Sequence, residues 1–503
     1  MRQRLAAVEW PSLILFCSAL IPFGLLISVL HTDTVRAVAV FVCLIGLYGA
    51  WSYYVVTTHS SHASVFSLPG LCLMVVIYCI AVVAIGWLRP SLIAAVHLFA
   101  IALIFLYYWV IALGAVYHNQ RYGSGSEVTD PDLSISILIP AHNEEGYIQR
   151  TISALLEAEY PTGQREIIVI DDGSTDDTYS EAAAFQSDIV TVVTKENGGK
   201  YSALNYGLLF ATNEIIVTVN ADSVVETDAL QRMVAPFHTD SAVGAVASTV
   251  TIWNRNSILT RCQQLEYTIG VNVYRRMLDL FGIVMVVPGC LGAYRRDVID
   301  EIHAFDPETL TEDFDITVKV LRAGYTVRTC QARVYTEAPD SLRDLYKQRL
   351  RWYRGNYMTM FKHRRIASEG QSGFLHRFAF PLRAVELFFL PFASWIILGL
   401  IILLLFTGAI TQVLSVFVFF TSIIFLVAAL GVYIEGEEWA LLWYTPLFVI
   451  GYKHFHDALM LKSLLDALFD RNLSWTRATR IEQRTSTEQT KETEPVAERT
   501  ISE

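Results

Sequence analysis

Hydrophobic positions along this chain fall into two blocks of long runs, separated by a polar stretch with shorter, alternating patterns. Residues 10–30, 37–56, 67–87 and 91–117 each offer roughly 20 or more mostly apolar positions, enough when helical for about 30 Å of hydrocarbon. A second group follows at 387–410, 413–434 and from 439 to about 457. Any one run is compatible with a buried core helix, but this repetition predicts a polytopic membrane protein. The expected order is four spans in 1–120, a Gly/Ser/Asp/Pro linker over 121–132 and a soluble domain over 133–340. Amphipathic interface helices then occupy 341–383, about three spans with an interfacial helix fill 384–470, and a polar, disordered tail runs over 471–503.

Inside the polar stretch, 134–139 (SISILI), 166–170 (EIIVI), 190–193 and 214–219 are short β-rich runs. Between them, 144–157 repeats Ile148, Ile152, Leu155 and Leu156 at helical spacing. Asp176 stands where it can cap a following helix, and 200–211 reads as another helix. Strands alternating with helices predict an α/β fold, a doubly wound sheet covered on both faces, with ligands outside the carboxyl ends of its strands. Three polar turns fall there: Pro140 to Glu145, Asp171-Asp172-Gly173-Ser174, and Asn220-Ala221-Asp222. An Asp after a strand is equally the N-cap of the next helix. Three such turns in one half-domain point instead to a shared site.

Composition agrees with the membrane reading: 53% of the 503 residues are hydrophobic and mean hydropathy is +0.40. Of seven cysteines, Cys17, Cys43, Cys72 and Cys79 fall in predicted spans and Cys262, Cys290 and Cys330 in the domain, with no CxxC pair. Neither a disulfide framework nor structural zinc is expected, which suits a reducing compartment. The net charge of −11 owes part of its size to the tail and argues nothing about nucleic acid, and no nucleic-acid partner is expected. Arg2 and Arg4 ahead of the first run also suit a cleaved leader, but no small-residue cleavage site precedes the next run, so a signal anchor is expected. With Arg121 they favour a cytoplasmic domain at the cell membrane, while Arg36 and Arg89 in outer loops count against it. Three late spans would leave the tail outside, yet Lys453, Lys462, Arg471 and Arg477 favour the inside. An interfacial helix over 454–469 or an earlier re-entrant segment reconciles the two.

The ordered set IPAHNEE, VIDDGSTDDT, NGGKYSALNYGL and NADS resembles the nucleotide-binding half of family 2 glycosyltransferases. VPGCLGAYRR (287–296), LTEDFDITVKVLRAGY (310–325) and QRLRW (348–352) resemble the second half of their membrane-embedded processive members, the synthases of cellulose, chitin, hyaluronan and poly-N-acetylglucosamine. The likeness covers about 133–361 and is greatest to the poly-N-acetylglucosamine synthases. It implies a GT-A-like mixed sheet between membrane helices and a UDP-sugar donor, preferably UDP-N-acetylglucosamine. It also implies a growing polysaccharide as product, with room for a small membrane accessory subunit.

The same resemblance distributes roles. Asp171 and Asp172 go to the uracil and ribose, with Glu144, Lys200, Asn220 and Arg351 also on the nucleotide. Asp222 holds Mg²⁺ or Mn²⁺, hard cations that take one or two protein carboxylates and fill the rest of their shell with phosphate oxygens and water. Asp313, with Glu312 beside it, is the catalytic carboxylate pair, Asp313 serving as general base. Gln348, Trp352, Gly289, Cys290, Leu291 and Gly292 face the acceptor sugar: Trp offers a flat face and glycine a close backbone approach.

Each assignment has a plainer counterpart. Lys200 reads equally as a solvated lysine, Thr311 and Asp313 as a helix N-cap, and 288–293 as a tight turn. Most basic residues of 343–365 suit lipid headgroups. The motif that departs from the pattern is NADS, where an amide replaces the usual first carboxylate. Three functions fit the chain: a processive inverting synthase exporting a β-linked polymer, a transferase moving one sugar to a polyprenyl phosphate or other lipid, and an inactive sugar-nucleotide-binding scaffold.

Overall fold

The computed structural model describes residues 92–122, 133–367 and 374–469. The first three predicted spans, nearly all of the linker and the polar tail lie outside these residues. Eight strands form one mixed sheet: β1 (Ile135–Ala141), β2 (Arg165–Asp171), β3 (Val190–Thr194), β4 (Ile215–Val219), β5 (Val224–Val225), β6 (Val243–Ile252), β7 (Leu291–Arg295) and β8 (Thr326–Thr336), in the order β3-β2-β1-β4-β7-β6-β8-β5. The four strands expected from the pattern, β1 to β4, make its parallel half. Beyond β4 the sheet turns mixed: β7 lies antiparallel between β4 and β6, β8 runs parallel to β6, and β5 closes the edge antiparallel to β8.

The helices are α1 (Leu92–Tyr122), α2 (Ile148–Glu157), α3 (Thr178–Ala183), α4 (Lys200–Leu208), α5 (Ala229–Thr239) and α6 (Ile258–Glu266). From α6 the chain passes through a π-helical segment, Tyr267–Val273, into α7 (Tyr274–Asp279), followed by α8 (Arg296–Glu301), α9 (Glu312–Arg322) and α10 (Leu342–Lys362). Side-chain alternation divides the core: Ile135, Ile137 and Ile139 of β1 pack with α2 and α5, whereas Leu138 packs on the opposite face with Ala203 and Leu204 of α4. Helix α2 begins four residues later than the periodicity predicts. Asn143 at φ 55° and Gly146 at φ 80° fold 143–146 into a turn whose Glu144 carbonyl accepts from Tyr147 and Ile148 N–H. That keeps the acidic turn out of the helix and available to a ligand.

Two further helices, α11 (Leu375–Phe406) and α12 (Ile410–Glu435), are the candidates among the described residues long and apolar enough to cross a membrane. The predicted third late span is not one helix. Its run forms a 3₁₀ segment, Trp439–Tyr444, then leaves helical geometry at Ile450 and at Gly451 (φ 94°) before α13 (Lys453–Leu468). Gly436, at φ 66°, ends α12, and the acidic residues around it fix that end to the sheet domain. Arg276 pairs with Glu435 and Arg255 with Glu437, each at 2.6 Å.

Helix α13 packs along α10. Tyr353 Oη lies 2.7 Å from His456 Nδ1, and Arg354 donates twice to Asp466. The headgroup expectation for the basic residues of α10 is corrected at three of them. Arg349 is fully buried against Glu266, Arg354 pairs with Asp466, and Lys362 reaches Asp306 and Asp315 at 2.6 and 2.9 Å. These three side chains take protein carboxylates as partners and Leu345, Leu350, Tyr353 and Tyr357 are buried, while Leu342 and Tyr346 of the same helix stay exposed.

Candidate active site

The strand ends, the turn before α9 and one face of α10 enclose a cavity of about 860 Å³. Twelve of the expected site residues line it: Glu144, Asp172, Lys200, Asn220, Asp222, Gly289, Cys290, Glu312, Asp313, Gln348, Arg351 and Trp352. Asp171, Leu291 and Gly292 are not among its lining. Asp171 braces its own turn, accepting from Ser174 N–H at 3.2 Å and Thr194 Oγ1 at 2.9 Å. Leu291 belongs to the hydrophobic core within β7. A Cβ on Gly292 would stand 2.4 Å from Val287 Cγ1, so this glycine answers to sheet packing rather than to an approaching sugar.

Asp172 is both in the wall and structurally engaged. It accepts from Lys195 Nζ (2.8 Å), Gly198 N–H (3.0 Å) and Gly199 N–H (2.8 Å), which orders the glycine loop ahead of α4. A carboxylate has about four acceptor positions, so one is left for a nucleoside hydroxyl or N–H. Gly199, at φ 84°, lets that loop deliver Lys200 to the far side of the cavity.

There Lys200 Nζ meets Glu312 Oε1 at 2.7 Å. Burial opposes the charge of all three groups, Lys200, Glu312 and Asp313, and mutual interactions then separate them. Lys200, its charge favoured by both carboxylates, ends above the usual lysine range, and its attraction draws Glu312 below the usual carboxylate range. Asp313 is raised, because the Glu312 charge adds to burial. Two adjacent carboxylates thus take different characters: one ionised and paired, the other with increased proton affinity. Asp313 Oδ2 accepts a long hydrogen bond from Gly289 N–H at 3.4 Å, and the preceding Thr311 makes no side-chain cap to α9. Burial pushes the Cys290 thiol up to about 12, so it is not a thiolate nucleophile.

Helix α10 brings Gln348, Arg351 and Trp352 to the opposite wall. Arg351 is near enough for its charge to lower Glu312 further. Gly355, one turn on, packs directly on Thr311, which registers α10 against the turn carrying Glu312 and Asp313. Asp315, in the first turn of α9, takes Lys362 and His363 from the end of α10 at 2.9 and 2.8 Å. Sequence reasoning missed several lining residues, among them Arg275, Glu337, Asn356 and Arg383. The signal at Arg275 was the Arg275-Arg276 pair inside a mostly apolar helical run; Arg275 is buried and donates to Ser248 O at 3.0 Å. Arg383 belongs to α11, so the cavity extends to a candidate membrane helix.

Among the described residues no three His, Cys, Asp or Glu side chains converge as a metal site. The donor set nevertheless fits a hard divalent cation arriving with a diphosphate: Asp222 opens into the cavity, and Mg²⁺ or Mn²⁺ needs only one or two carboxylates when phosphate oxygens and water complete the shell.

An α/β sheet with acidic strand-end turns, a carboxylate pair and a basic helix around one cavity is the arrangement of a glycosyltransferase of GT-A-like fold. Residues 136–303 match the family model described as glycosyl transferase family 2, and the chain carries a family 2 glycosyltransferase domain. It is 29% identical over 268 residues to the poly-beta-1,6-N-acetyl-D-glucosamine synthase of Staphylococcus aureus strain MSSA476, and 29% over 266 residues to the synthase of that name from Staphylococcus epidermidis. Each alignment covers 51% of this chain, and the chain spans 63% of the length of these curated relatives. A solved structure, the mannosyltransferase PcManGT from Pyrobaculum calidifontis in complex with GDP-Man and Mn²⁺, shares the fold with a TM-score of 0.54 at 20% identity, over 75% of this chain and all of that one.

Proposed function

We propose that the protein is a membrane-bound, processive, inverting glycosyltransferase that polymerises a β-linked polysaccharide from a UDP-sugar, preferably UDP-N-acetylglucosamine, and passes it between its own helices. The observation that carries this reading is the single cavity that joins the nucleotide-side turns, the Glu312–Asp313 pair and the α10 residues, and that reaches Arg383 on α11. The similarity to poly-beta-1,6-N-acetyl-D-glucosamine synthases supports the donor and product.

The residues divide the work. Asp172 and the loop it orders take the nucleoside, Asn220 offers an amide that both donates and accepts, and Arg351 presents a planar fork to the diphosphate. A metal on Asp222, when bound, would offset charge on the departing diphosphate. Trp352 gives the acceptor sugar a flat surface. Asp313, its proton affinity raised by burial and by Glu312, takes the acceptor hydroxyl proton as that oxygen attacks the anomeric carbon. Glu312 is committed to Lys200, which favours Asp313 acting as base over a double displacement through Glu312. A single displacement with inversion follows, turning an α-linked donor into a β-linkage.

Arg276–Glu435 and Arg255–Glu437 fix the end of α12 on the domain side, while α13 stays against α10. These contacts support a reading with two late spans rather than three, in which Lys453 and Lys462 lie on the same side as the catalytic domain, the cytoplasmic side that the positive-inside tendency prefers. Membranes supplied separately with labelled UDP-N-acetylglucosamine and UDP-glucose, followed by linkage-specific hydrolases, test the reading. Long β-linked polymer from the first donor is expected. Because the cavity touches an apolar helix, a lipid acceptor is the rival, and a product of one sugar on an organic-soluble carrier would select it.

A further inference from the structure

We propose that Arg349 is a positioning residue: its buried guanidinium sets the plane of Trp352 and the reach of Gln348 toward the acceptor, and Glu266 with Tyr452 holds it in place. This rests on the reading of Trp352 as the acceptor platform.

Arg349 does not line the cavity and is the largest fully buried side chain among the described residues. Its Cζ lies 4.1 Å from the centroid of the Trp352 ring and 5.7 Å from that of Tyr267. The fork donates to Glu266 at 3.1 and 2.9 Å and to Gln348 Oε1. One planar cation therefore contacts two of the α10 residues that face the cavity, Gln348 and Trp352. A lysine could keep the charge but not the stacked plane together with paired donors.

Glu266 is in turn fixed from the other side. It ends α6 just before the π-helical segment, and it accepts a 2.5 Å hydrogen bond from Tyr452 Oη. Tyr452 directly follows Gly451, where the chain breaks on its way from α12 to α13. The path from that break to the cavity wall is thus Tyr452, Glu266, Arg349, Trp352, each in direct contact with the next. A buried ion pair is often no more stabilising than apolar residues of the same volume, so its presence calls for a reason other than stability. Orientation of the platform supplies one.

The test uses the full chain in membranes, with a soluble β-linked N-acetylglucosamine oligosaccharide as acceptor and UDP-N-acetylglucosamine as donor, each varied separately. For Arg349→Lys the acceptor KM should rise by about tenfold or more while the donor KM stays within about twofold, the pattern of a lost acceptor orientation. Tyr452→Phe removes one hydroxyl and should move the acceptor KM the same way by about threefold, at unchanged melting temperature. If Arg349→Lys does not fold, Tyr452→Phe decides. An unchanged acceptor KM in the folded variants, with wild-type transfer intact, overturns the proposal alone, and so does an equal change in both KM values. A wild type that elongates no oligosaccharide overturns the platform reading, and this proposal falls with it.

Discussion

Gly355→Ala separates two opposite expectations. In an exposed helix interior, replacing glycine by alanine stabilises by about 1 kcal/mol. Here, however, the new Cβ would stand 2.5 Å from Thr311 Oγ1, 2.6 Å from its Cγ2 and 2.9 Å from its backbone nitrogen. Thr311 is buried and β-branched, so it has little rotamer freedom with which to retreat. Restoring ordinary contact, about 3.5 Å or more between heavy atoms, requires α10 and the Thr311 turn to separate by roughly 0.5–1 Å. Overpacking of this kind costs about 1–3 kcal/mol, which the helix preference partly offsets, leaving a net loss of about 0–2 kcal/mol. The site suffers more. Glu312 and Asp313 follow Thr311 directly, while Arg351 and Trp352 ride on α10, so the separation opens the space between base and acceptor. A misplacement near 1 Å can lower a rate on the order of 100-fold. Initial rates of sugar transfer in membranes matched for protein, together with a thermal melt, should show a fall of about one to two orders of magnitude in kcat with a Tm shift of a few degrees at most. A variant as fast as wild type would refute the reasoning, as would a loss of rate explained wholly by loss of folded protein.

Asp222→Asn should abolish transfer at every Mn²⁺ or Mg²⁺ concentration, whereas Asn220→Asp should keep most activity; metal titrations of both variants check this, and the reverse outcome would exchange their roles. Asp313→Asn should lower the rate by about 10²-fold or more while UDP binding, read by calorimetry, is retained. The raised proton affinity of Asp313 implies that the base form is lost as pH falls through a value above the ordinary 3.8. Glu312→Gln removes the like charge that helps raise it, so the acid limb of kcat/KM should move to lower pH; a limb that stays or rises would count against Asp313 as base. Gly292→Ala, meeting Val287 at 2.4 Å, should destabilise by about 1–3 kcal/mol with an unchanged acceptor KM, and a KM effect without a fall in Tm would return Gly292 to the acceptor site.

The parallel half of the sheet was legible because each strand is a short β-branched run closed by a turn, a local signal. The mixed half was less so, since the antiparallel insertion of β7 between β4 and β6 joins residues far apart in sequence. Cavity-lining residues at strand ends, such as Asp172 and Asp222, could be placed from the chain alone, because strand ends in such sheets share one edge. Asp171, one position away, reads identically in sequence, and only its bonds to Ser174 and Thr194 set it apart. The basic face of α10 looked lipid-facing because its partners, Glu266, Asp306, Asp315 and Asp466, come from four other segments. The apolar run after α12 matched a span in composition, but the break at Gly451 is conformational.

The segment that matches the family model ends at residue 303, short of Glu312 and Asp313 and well short of α10. Yet Asp313, Arg351, Trp352 and Arg383 close the same cavity as Asp172 and Asp222. Modularity is therefore limited in this protein: the sheet can be outlined as a unit, but the cavity cannot be excised with it. A fragment cut after β8 would keep the strand-end walls and lose the α10 wall and Arg383, so on the proposed reading it should bind UDP while transferring nothing. Grafting a new donor preference onto this scaffold would correspondingly need changes on one side only, with the α10 wall and its membrane-helix neighbours left as they are.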